Sequence, residues 1–311
     1  MAKDAIYSAL RASGLFKLSN HLTRNGLRIL CYHGLWDTPG PGYGDRLFMP
    51  VAQFEARMQY LARSGRPVLS LDDAVRRLGA GTLPRGATVI TIDDGWASTV
   101  RMAEILAHYR LPSTVYVTTW YIDNPAPIIQ VAADYISSVS GQPVPADLMS
   151  LPRDQREAAL LRFGEDAAVP GDWHGIRQFH LMTPDELARV SSLGMDIQLH
   201  THRHNMNNLA SELEDNADAL ARLGFENNRL EHFCYPSGNY RTEHFNVLQQ
   251  RGVRSATTCV AGLNFRNTPR LALKRFLDGK SVSDAEFDAY LMGFQAIADG
   301  ARERISSIRG Q

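Results

Sequence analysis

Cysteine is scarce in this chain of 311 residues, which contains only Cys31, Cys234 and Cys259. The number is odd, and no two of them stand in a Cys-x-x-Cys spacing. A disulfide framework or a structural zinc site is therefore not expected. The sequence instead favours reduced thiols in a reducing compartment, and we predict a cytoplasmic location.

The chain also lacks an excess of charge of either sign. It has 33 Lys and Arg residues against 33 Asp and Glu residues, and 44% of its residues are hydrophobic. This composition is typical of a soluble globular protein. Because a basic surface is the electrostatic signature of nucleic-acid binding, nucleic acid is not an expected partner.

Long apolar runs are missing as well. The first residues show no apolar stretch typical of a secretory signal, and no segment approaches the roughly 20 apolar residues of a membrane span. Residues 5–22 do place apolar side chains at helical spacing with basic residues between them. This pattern predicts either a helix packed on the domain or a weak membrane-surface helix near a lipid-linked substrate, and we expect contact with the inner face of a membrane at most.

Short β-rich runs alternate with helical patterns along most of the chain. This repetition predicts an α/β fold, and about eight repeats favour a barrel over an open sheet. The predicted strands are 28–33, 67–70, 88–93, 113–118, 196–200, 232–236, 255–259 and 271–276. The predicted helices are 51–64, 71–78, 97–109, 183–192, 207–223 and 242–251.

Three segments depart from the repeat and set the expected domain boundaries. We predict an N-terminal helical extension over residues 1–27, a barrel over residues 28–280 and a C-terminal helix over residues 281–311. Residues 121–180 are rich in proline and interrupt the alternation, with one helix predicted at 153–163, so we interpret them as an insertion. Insertions of this kind extend the C-terminal rim of an α/β barrel, where active sites lie.

Two adjacent carboxylates end one of the most apolar predicted strands. Asp93 and Asp94 follow the run Thr88–Ile92 and precede Gly95. Alone, this sequence is also compatible with a turn in which Asp93 caps the next helix. Adjacent residues at a strand end point in different directions, so one carboxylate can bind a metal while the other faces the attacking water.

Histidines cluster about a hundred residues later, after another predicted strand. His200 and His204 stand four residues apart, a spacing that on a helical turn projects both rings to one side. His202 would then point elsewhere, whereas in an extended segment all three would share a face. Two histidines and one aspartate suit zinc or another first-row divalent metal.

These segments resemble the polysaccharide deacetylases, the chitooligosaccharide deacetylase-like carbohydrate esterases. Residues 90–95 resemble the first motif of that family, residues 194–206 the second and residues 233–238 the third. The resemblance spans roughly residues 28 to 280. It implies a deformed (β/α) barrel of seven or eight strands and the metal-dependent removal of an N-acetyl group from an amino sugar.

The resemblance also implies a role for each matching residue. Asp93 would be the general base, and Asp94, His200 and His204 would hold a divalent metal, with Zn²⁺ preferred and other first-row ions possible. The third motif would form one wall of the substrate groove, with a backbone N–H near Ser237 facing the oxyanion. The residues expected to contact substrate there are Tyr235, Pro236, Ser237 and Gly238.

The sequence departs from the family pattern at two supporting positions. The third motif usually contains an arginine that orients the base, but Cys234 stands at that position. Arg275 resembles the arginine of a late segment in one branch of the family, and we predict that it substitutes. The late histidine that normally acts as general acid is also missing. His33, in Leu30-Cys31-Tyr32-His33, resembles a permuted form of the family in which that histidine comes from the N-terminal side.

Five aromatic residues fall near predicted rim loops and could stack on sugar rings, although each could equally pack in the core. They are Trp96, Trp120, Tyr121, Trp173 and Tyr240. The expected substrate is an N-acylated amino sugar of a polysaccharide, an oligosaccharide, or a lipid-linked or nucleotide-linked glycan made for the cell envelope or as exopolysaccharide. Two alternatives remain open: a deformylase of a lipid-linked amino sugar, and a catalytically silent sugar-binding protein. The sequence does not fix the oligomeric state.

Overall fold

A sheet of seven parallel strands forms the centre of the molecule. The computed structural model describes residues 2–36, 47–169, 177–225 and 230–298. The nine strands are β1 Arg28–Tyr32, β2 Gly34–Trp36, β3 Phe48–Pro50, β4 Thr88–Ile92, β5 Ser113–Val117, β6 Met195–Leu199, β7 His232–Cys234, β8 Ser255–Thr257 and β9 Phe276–Leu277. The seven-stranded sheet has the order β8-β7-β6-β5-β4-β1-β9, and β2 pairs separately with β3.

Twelve α-helices accompany these strands in the described part of the chain. They are α1 Ala2–Ala12, α2 Leu15–Leu22, α3 Val51–Arg63, α4 Leu71–Ala80, α5 Thr99–His108, α6 Trp120–Asp123, α7 Ile129–Ser140, α8 Arg153–Asp166, α9 Pro184–Ser192, α10 Leu209–Leu220, α11 His244–Gln250 and α12 Asp284–Leu291. The parallel strands curl into a half-barrel surrounded by helices, which confirms the predicted deformed (β/α) barrel.

The central strands are buried on both faces. Every residue of β1, β4 and β5 is buried, because the half-barrel interior fills one face of the sheet and helices cover the other. This burial explains why β4 consists entirely of β-branched residues, which pack well on a pleated surface covered from both sides.

Most differences from the predicted elements occur where a strand is short. The predicted strand at 67–70 contributes one bridge, between Val68 and Thr88. The predicted strand at 271–276 is instead a 3₁₀ turn at Arg270–Ala272 followed by β9. The β2–β3 pair was not predicted. The N-terminal segment is two helices separated by Gly14, whose φ of 81° lies in the left-handed region.

Residues 121–180, the predicted insertion, contribute most of a second hydrophobic cluster. Helices α7 and α8 pack together through buried residues that include Ile136 and Leu160, and this cluster extends to Phe48 and Trp96 beside the half-barrel. The predicted helix at 153–163 corresponds to α8, whereas α7 was not predicted. Trp173 and residues 299–311 lie outside the described residues.

The functional candidates gather at one end of this architecture. His33 follows β1, Asp93 follows β4, His200 follows β6 and Tyr235 follows β7. Because these strands are parallel, their carboxyl ends meet at the same rim. The topology thus brings together residues that are up to about 200 positions apart in the sequence.

Candidate metal centre and catalytic pair

Asp94, His200 and His204 converge at the carboxyl rim. Asp94 Oδ1 lies 3.0 Å from His200 Nε2 and 3.3 Å from His204 Nε2. The three ligand atoms all lie within 4.8 Å of one another, so a single ion can contact all of them. This donor set, two imidazoles and one carboxylate with further positions open, fits zinc or another first-row divalent ion.

Hydrogen bonds to Cys234 and Asn216 fix the orientation of His200. Its Nδ1 donates to the carbonyl oxygen of Cys234 at 2.8 Å, which leaves Nε2 to face Asp94. The backbone N–H of His200 donates to the side-chain oxygen of Asn216, a buried residue of α10. The ring hydrogen bond to Cys234 sets the tautomer of His200 and raises the basicity of Nε2, as such bonds do on metal-ligating histidines. Asn216 was not predicted, although an amide on the apolar face of an amphipathic helix indicates a buried polar contact.

Charge in this group is mutually stabilised. Burial alone would raise the pKa of Asp94, but the hydrogen bonds with His200 and His204 outweigh burial and hold it well below its usual range. Burial likewise would lower the pKa of His200, but the neighbouring Asp94 carboxylate raises it above its ordinary value. The carboxylate is therefore ionised and available to a cation.

The segment from His200 to His204 is neither the helical turn nor the extended segment considered from the sequence, but a bend. Thr201 and His204 have φ values of 66° and 54°, in the left-handed region. This tight bend brings the two rings to a centroid distance of 4.9 Å. His202 points away from the centre, and its Nδ1 lies 2.9 Å from Thr119 Oγ1.

Trp96 contacts Asp94, one of the three residues of the candidate metal centre. Its indole N–H donates to Asp94 Oδ2 at 2.9 Å, and its ring packs edge-to-face on Phe48 with centroids 4.9 Å apart. Only 3% of the residue is exposed. Of the two roles considered for Trp96, core packing is therefore the observed one, because no ring face reaches solvent for stacking on a sugar. Its N–H holds the carboxylate of Asp94, a predicted metal ligand.

Asp93 belongs to a separate group of contacts. Both of its carboxylate oxygens accept hydrogen bonds from Arg275, from Nη1 and Nη2, at 2.7 Å each. Arg275 is itself held by the Thr258 carbonyl, to which its Nε donates at 2.9 Å. Burial would raise the pKa of Asp93, but the Arg275 charge outweighs it and lowers that pKa strongly. Asp93 does not cap α5, whose N-cap is Ser98.

Two buried thiols complete the surroundings of Asp93. Cys31 Sγ and Cys234 Sγ lie 3.5 Å and 3.4 Å from Asp93 Oδ2. Cys234 Sγ also lies 3.2 Å from Arg275 Nη2. The small thiol at position 234 thus leaves space that the guanidinium of Arg275 occupies, entering from the segment before β9. Neither thiol was predicted to face the carboxylate.

His33 approaches the same carboxylate oxygen of Asp93 as the two thiols. Its Nε2 is 3.7 Å from Asp93 Oδ2, and it is 8% exposed. Burial lowers the pKa of His33 despite the nearby carboxylates of Asp93 and Asp94. Its Nδ1 is a buried atom without a hydrogen-bond partner in the described structure.

The loop of the third motif presents its backbone rather than its larger side chains. Tyr235 is fully buried and donates from its hydroxyl to the Leu271 carbonyl at 2.9 Å, so its side chain packs in the core and leaves only its backbone for the predicted contact with substrate. Pro236 is buried too, whereas Ser237 is exposed. Ser237 has a φ of 55°, and a Cβ at Gly238 would come within 2.6 Å of Cys259 Cβ. Only glycine therefore allows this loop to pack so closely against Cys259.

A cavity of about 650 Å³ lies beside this loop and continues the rim past His204. Met206 and Asn207 line one side, and Asn239, Tyr240 and His244 the other. Of the predicted aromatic residues, Tyr240 reaches this cavity and is 38% exposed. Trp120 and Tyr121 are half-buried and pack on each other with ring centroids 5.0 Å apart.

Comparison with known families agrees with this geometry. The family model described as polysaccharide deacetylase matches residues 80–256, more than half of the chain. The chain belongs to this family. No curated protein matches the sequence significantly. The matched range includes Asp93, Asp94, His200 and His204 but ends before Arg275.

Solved structures of deacetylases share the fold at low sequence identity. The Streptococcus pyogenes deacetylase PplD, in complex with acetate, is 16% identical with a TM-score of 0.60, covering 87% of this chain and 97% of that one. IcaB from Ammonifex degensii is 16% identical with a TM-score of 0.58, covering 86% and 97%. A de-N-acetylase from Aggregatibacter actinomycetemcomitans is 15% identical with a TM-score of 0.59, covering 85% and 99%. These matches cover nearly all of the solved chains, so the fold extends well beyond the family motifs.

Proposed function

We propose that this protein is a metal-dependent hydrolase that removes the N-acetyl group from an amino sugar of a glycan. The observation that carries this proposal is the different surroundings of two adjacent carboxylates. Asp94 faces two histidines, whereas Asp93 is held by Arg275 and faces His33. Family membership and the deacetylase fold support the same reaction.

Asp94, His200 and His204 would hold the metal, with Zn²⁺ as the preferred ion. When bound, the ion supplies a Lewis acid for the acyl oxygen and for the attacking water. The hydrogen bonds from Trp96 to Asp94 and from His200 to Cys234 keep the ligands in place, as partners of metal ligands commonly do.

Asp93 would accept a proton from the water as it attacks the amide carbon. Arg275 fixes the carboxylate plane through two hydrogen bonds and so keeps the base in one orientation. A placed general base typically contributes a rate factor of about 10²–10⁴. Because Arg275 uses both nitrogens of its fork on Asp93, it acts as a positioning residue rather than as a contact to substrate.

His33 would protonate the departing amine. An amine leaves poorly until it is protonated, so the reaction needs an acid close to the base. His33 Nε2 and Asp93 Oδ2 are 3.7 Å apart, a separation at which both groups would reach one scissile bond. Because burial lowers the pKa of His33, its protonated form would be a strong acid toward the amine, and the proton that Asp93 takes from the water would supply it.

The backbone N–H of Ser237 would donate to the oxyanion of the tetrahedral intermediate. In this loop, the N–H of Tyr235 already donates to Thr257 and the N–H of Gly238 to Tyr235. Pro236 has no N–H, so Ser237 is the candidate donor that remains. One oxyanion donor is typically worth about 2.7–4 kcal/mol of transition-state stabilisation.

The substrate would be an N-acetylated amino sugar within a polysaccharide, an oligosaccharide or a lipid-linked glycan. The cavity beside Tyr240 is large enough for a further sugar unit, and sugar rings stack on exposed aromatic faces. Asn207, Asn239 and His244 supply polar groups for sugar hydroxyls.

The direct test measures acetate release from N-acetylated oligosaccharides, with metal content determined on the same samples. Asp93→Asn and His33→Gln should each retain the metal and lose roughly 10²- to 10⁴-fold in kcat. A matched panel of N-formyl substrates distinguishes a deformylase. Wild-type turnover by Asp93→Asn with full metal content would remove Asp93 as the base. Sugar binding that is insensitive to chelator and yields no product would identify a binding protein instead.

A further inference from the structure

A second cavity lies at the opposite end of the half-barrel from the metal centre. Its volume is about 580 Å³, and the charged residues that line it are all cationic: Lys17, Arg24, Arg66 and Arg85. Arg24 precedes β1 and Arg85 precedes β4, so this cavity faces the amino ends of the strands. The catalytic candidates His33 and Asp93 follow the same two strands, and five residues of strand separate the two ends by about 17 Å.

The positive charge of this cavity follows from a local absence of acids. Residues 5–36, 56–71 and 74–92 contribute every one of its cations and contain no Asp or Glu. Asp288 of α12 is the acid that approaches this region: it pairs with Arg11 at 3.1 Å and interacts with Tyr60 and Arg66, but it is only 4% exposed. In a chain with equal numbers of cationic and anionic residues, this is a marked local asymmetry.

A buried cation, Arg28, adds to the positive charge near this cavity. Arg28 is fully buried, and its guanidinium donates to neutral acceptors: the carbonyls of Leu291, Thr23 and Gly26 and the hydroxyl of Thr23. Burial, and then the charge of Arg66, lower the pKa of Arg28 to about 10. The positive charge of Arg28 is therefore not neutralised by a carboxylate. It would attract an anion to the mouth of the cavity.

Apolar side chains project beside the same cavity. Leu15, Leu18 and Leu22 of α2 are 41%, 55% and 64% exposed, although leucine is normally among the more buried residues. Their i, i+3, i+7 spacing puts them on one face of α2, while Phe16 and Ser19 pack inward. Lys17 and His21 of α2 reach the cavity from the flank of this leucine row.

We propose that α2 and this basic cavity dock the protein on a bilayer containing acidic phospholipid. The leucine row would enter the acyl boundary while the cations contact headgroup phosphates, the arrangement by which amphipathic basic helices lie on membranes. Charge complementarity selects the anionic bilayer over a neutral one. Within the described residues every helix falls short of the length and apolarity needed to cross a bilayer, so contact would be peripheral.

This orientation points the metal centre away from the bilayer. The substrate sugar would then have to lie on a glycan chain that extends from the surface, rather than at the headgroup level. The docking proposal does not depend on the proposed reaction, because none of its residues belongs to the metal centre.

Sedimentation of the full chain with vesicles tests the proposal. The probes are vesicles of phosphatidylcholine alone and of phosphatidylcholine with one third phosphatidylglycerol. The protein should sediment with the anionic vesicles only, and less at high salt. Lys17→Gln/Arg85→Gln should reduce binding roughly 30-fold, because each cation near an anionic surface contributes about fivefold. Arg101→Gln/Arg189→Gln, a pair of exposed arginines elsewhere, should bind like the parent.

Two further comparisons distinguish the contribution of the leucine row to vesicle binding from that of charge and from self-association of the protein. Leu18→Ser/Leu22→Ser should lose vesicle binding, whereas Met149→Ser/Val260→Ser, with comparable exposure, should retain it. All four variants should hydrolyse a soluble oligosaccharide at the parent rate. The proposal is overturned if the parent fails to bind anionic vesicles or if both charge variants bind equally. It is also overturned if light scattering shows a dimer that Leu18→Ser/Leu22→Ser dissociates.

Discussion

Arg275 and Asp93 form a buried pair in which each carboxylate oxygen accepts one hydrogen bond of 2.7 Å from the guanidinium. Arg275 is 1% exposed and Asp93 is 2% exposed. Removing one partner of such a pair leaves an uncompensated buried charge. The pair therefore constrains folding as well as the orientation of the proposed base.

We expect Arg275→Leu to lower the free energy of unfolding by about 3–5 kcal/mol, because Asp93 would lose its cation. Urea unfolding followed by circular dichroism measures the change. Arg76→Leu, which breaks an exposed pair with Asp73, is the matched control and should cost at most about 1 kcal/mol. Equal stability of Arg275→Leu and the parent would show that the pair does not constrain the fold.

His204→Ala should lose bound metal while His202→Ala keeps it. The two histidines are two residues apart, but only His204 faces Asp94, whereas His202 contacts Thr119. We expect the affinity for Zn²⁺ to fall by more than the roughly 10- to 100-fold that loss of an outer-shell partner costs. Competition with a chelating dye measures both variants. Equal metal loss from both would contradict the proposed ligand set.

Trp96→Phe should weaken metal binding without unfolding the protein. The substitution removes the N–H that donates to Asp94 but keeps an aromatic ring against Phe48. Loss of an outer-shell hydrogen bond predicts a decrease of about 10- to 100-fold in metal affinity. The same dye competition, with a thermal melt as the folding control, checks this. Unchanged affinity in a folded variant would exclude a supporting role for the indole.

His232 should make the fold sensitive to mild acid. Burial lowers its pKa to about 4, and its Nδ1 lies 2.8 Å from Ser255 Oγ at the end of the half-barrel away from the metal centre. In the unfolded chain its pKa returns to about 6.5. The folded pKa is the lower one, so this contribution to stability is complete above pH 6.5 and is lost as the pH falls through 4.

The gap between these two pKa values corresponds to roughly 3 kcal/mol of unfolding free energy. We expect His232→Gln to lose less stability than the parent between pH 7 and pH 4, as measured by urea unfolding at each pH. His108→Gln, at an exposed position, should follow the parent. If His232→Gln and the parent lose the same stability over this range, His232 does not carry the effect.

The sequence was sufficient for the fold because hydrophobic periodicity and repeated strand-helix alternation are local signals. Strands such as Thr88–Ile92 and helices such as Pro184–Ser192, with its Thr183 cap, begin and end within a few residues of the prediction. The unpredicted β2–β3 pair has only three residues in each strand, too few for a period to register. Helix α7 lies among prolines that obscured its pattern.

Less of the site could be predicted from the sequence, because its contacts join segments that are far apart in the chain. The spacing of His200 and His204 indicated shared ligation, but the left-handed bend between them has no signature in Thr201, a residue that rarely adopts such angles. Likewise, nothing local in Trp96 distinguishes a ring that stacks on sugar from one whose N–H orients a carboxylate. The thiol of Cys31 faces Asp93 because β1 pairs with β4, and the thiol of Cys234 reaches it from β7, three strands further along the curled sheet.

Left-handed backbone angles of non-glycine residues are concentrated around the candidate metal centre. Six non-glycine residues of the described chain have positive φ, and four of them are Asp94, Thr201, His204 and Ser237. Such angles cost of order 1 kcal/mol each and persist only where the surroundings enforce them. Directed evolution for heat resistance would therefore tend to replace these residues with glycine or asparagine, gaining stability while eroding the reaction. Selection for stability alone would therefore change the residues of this rim before others.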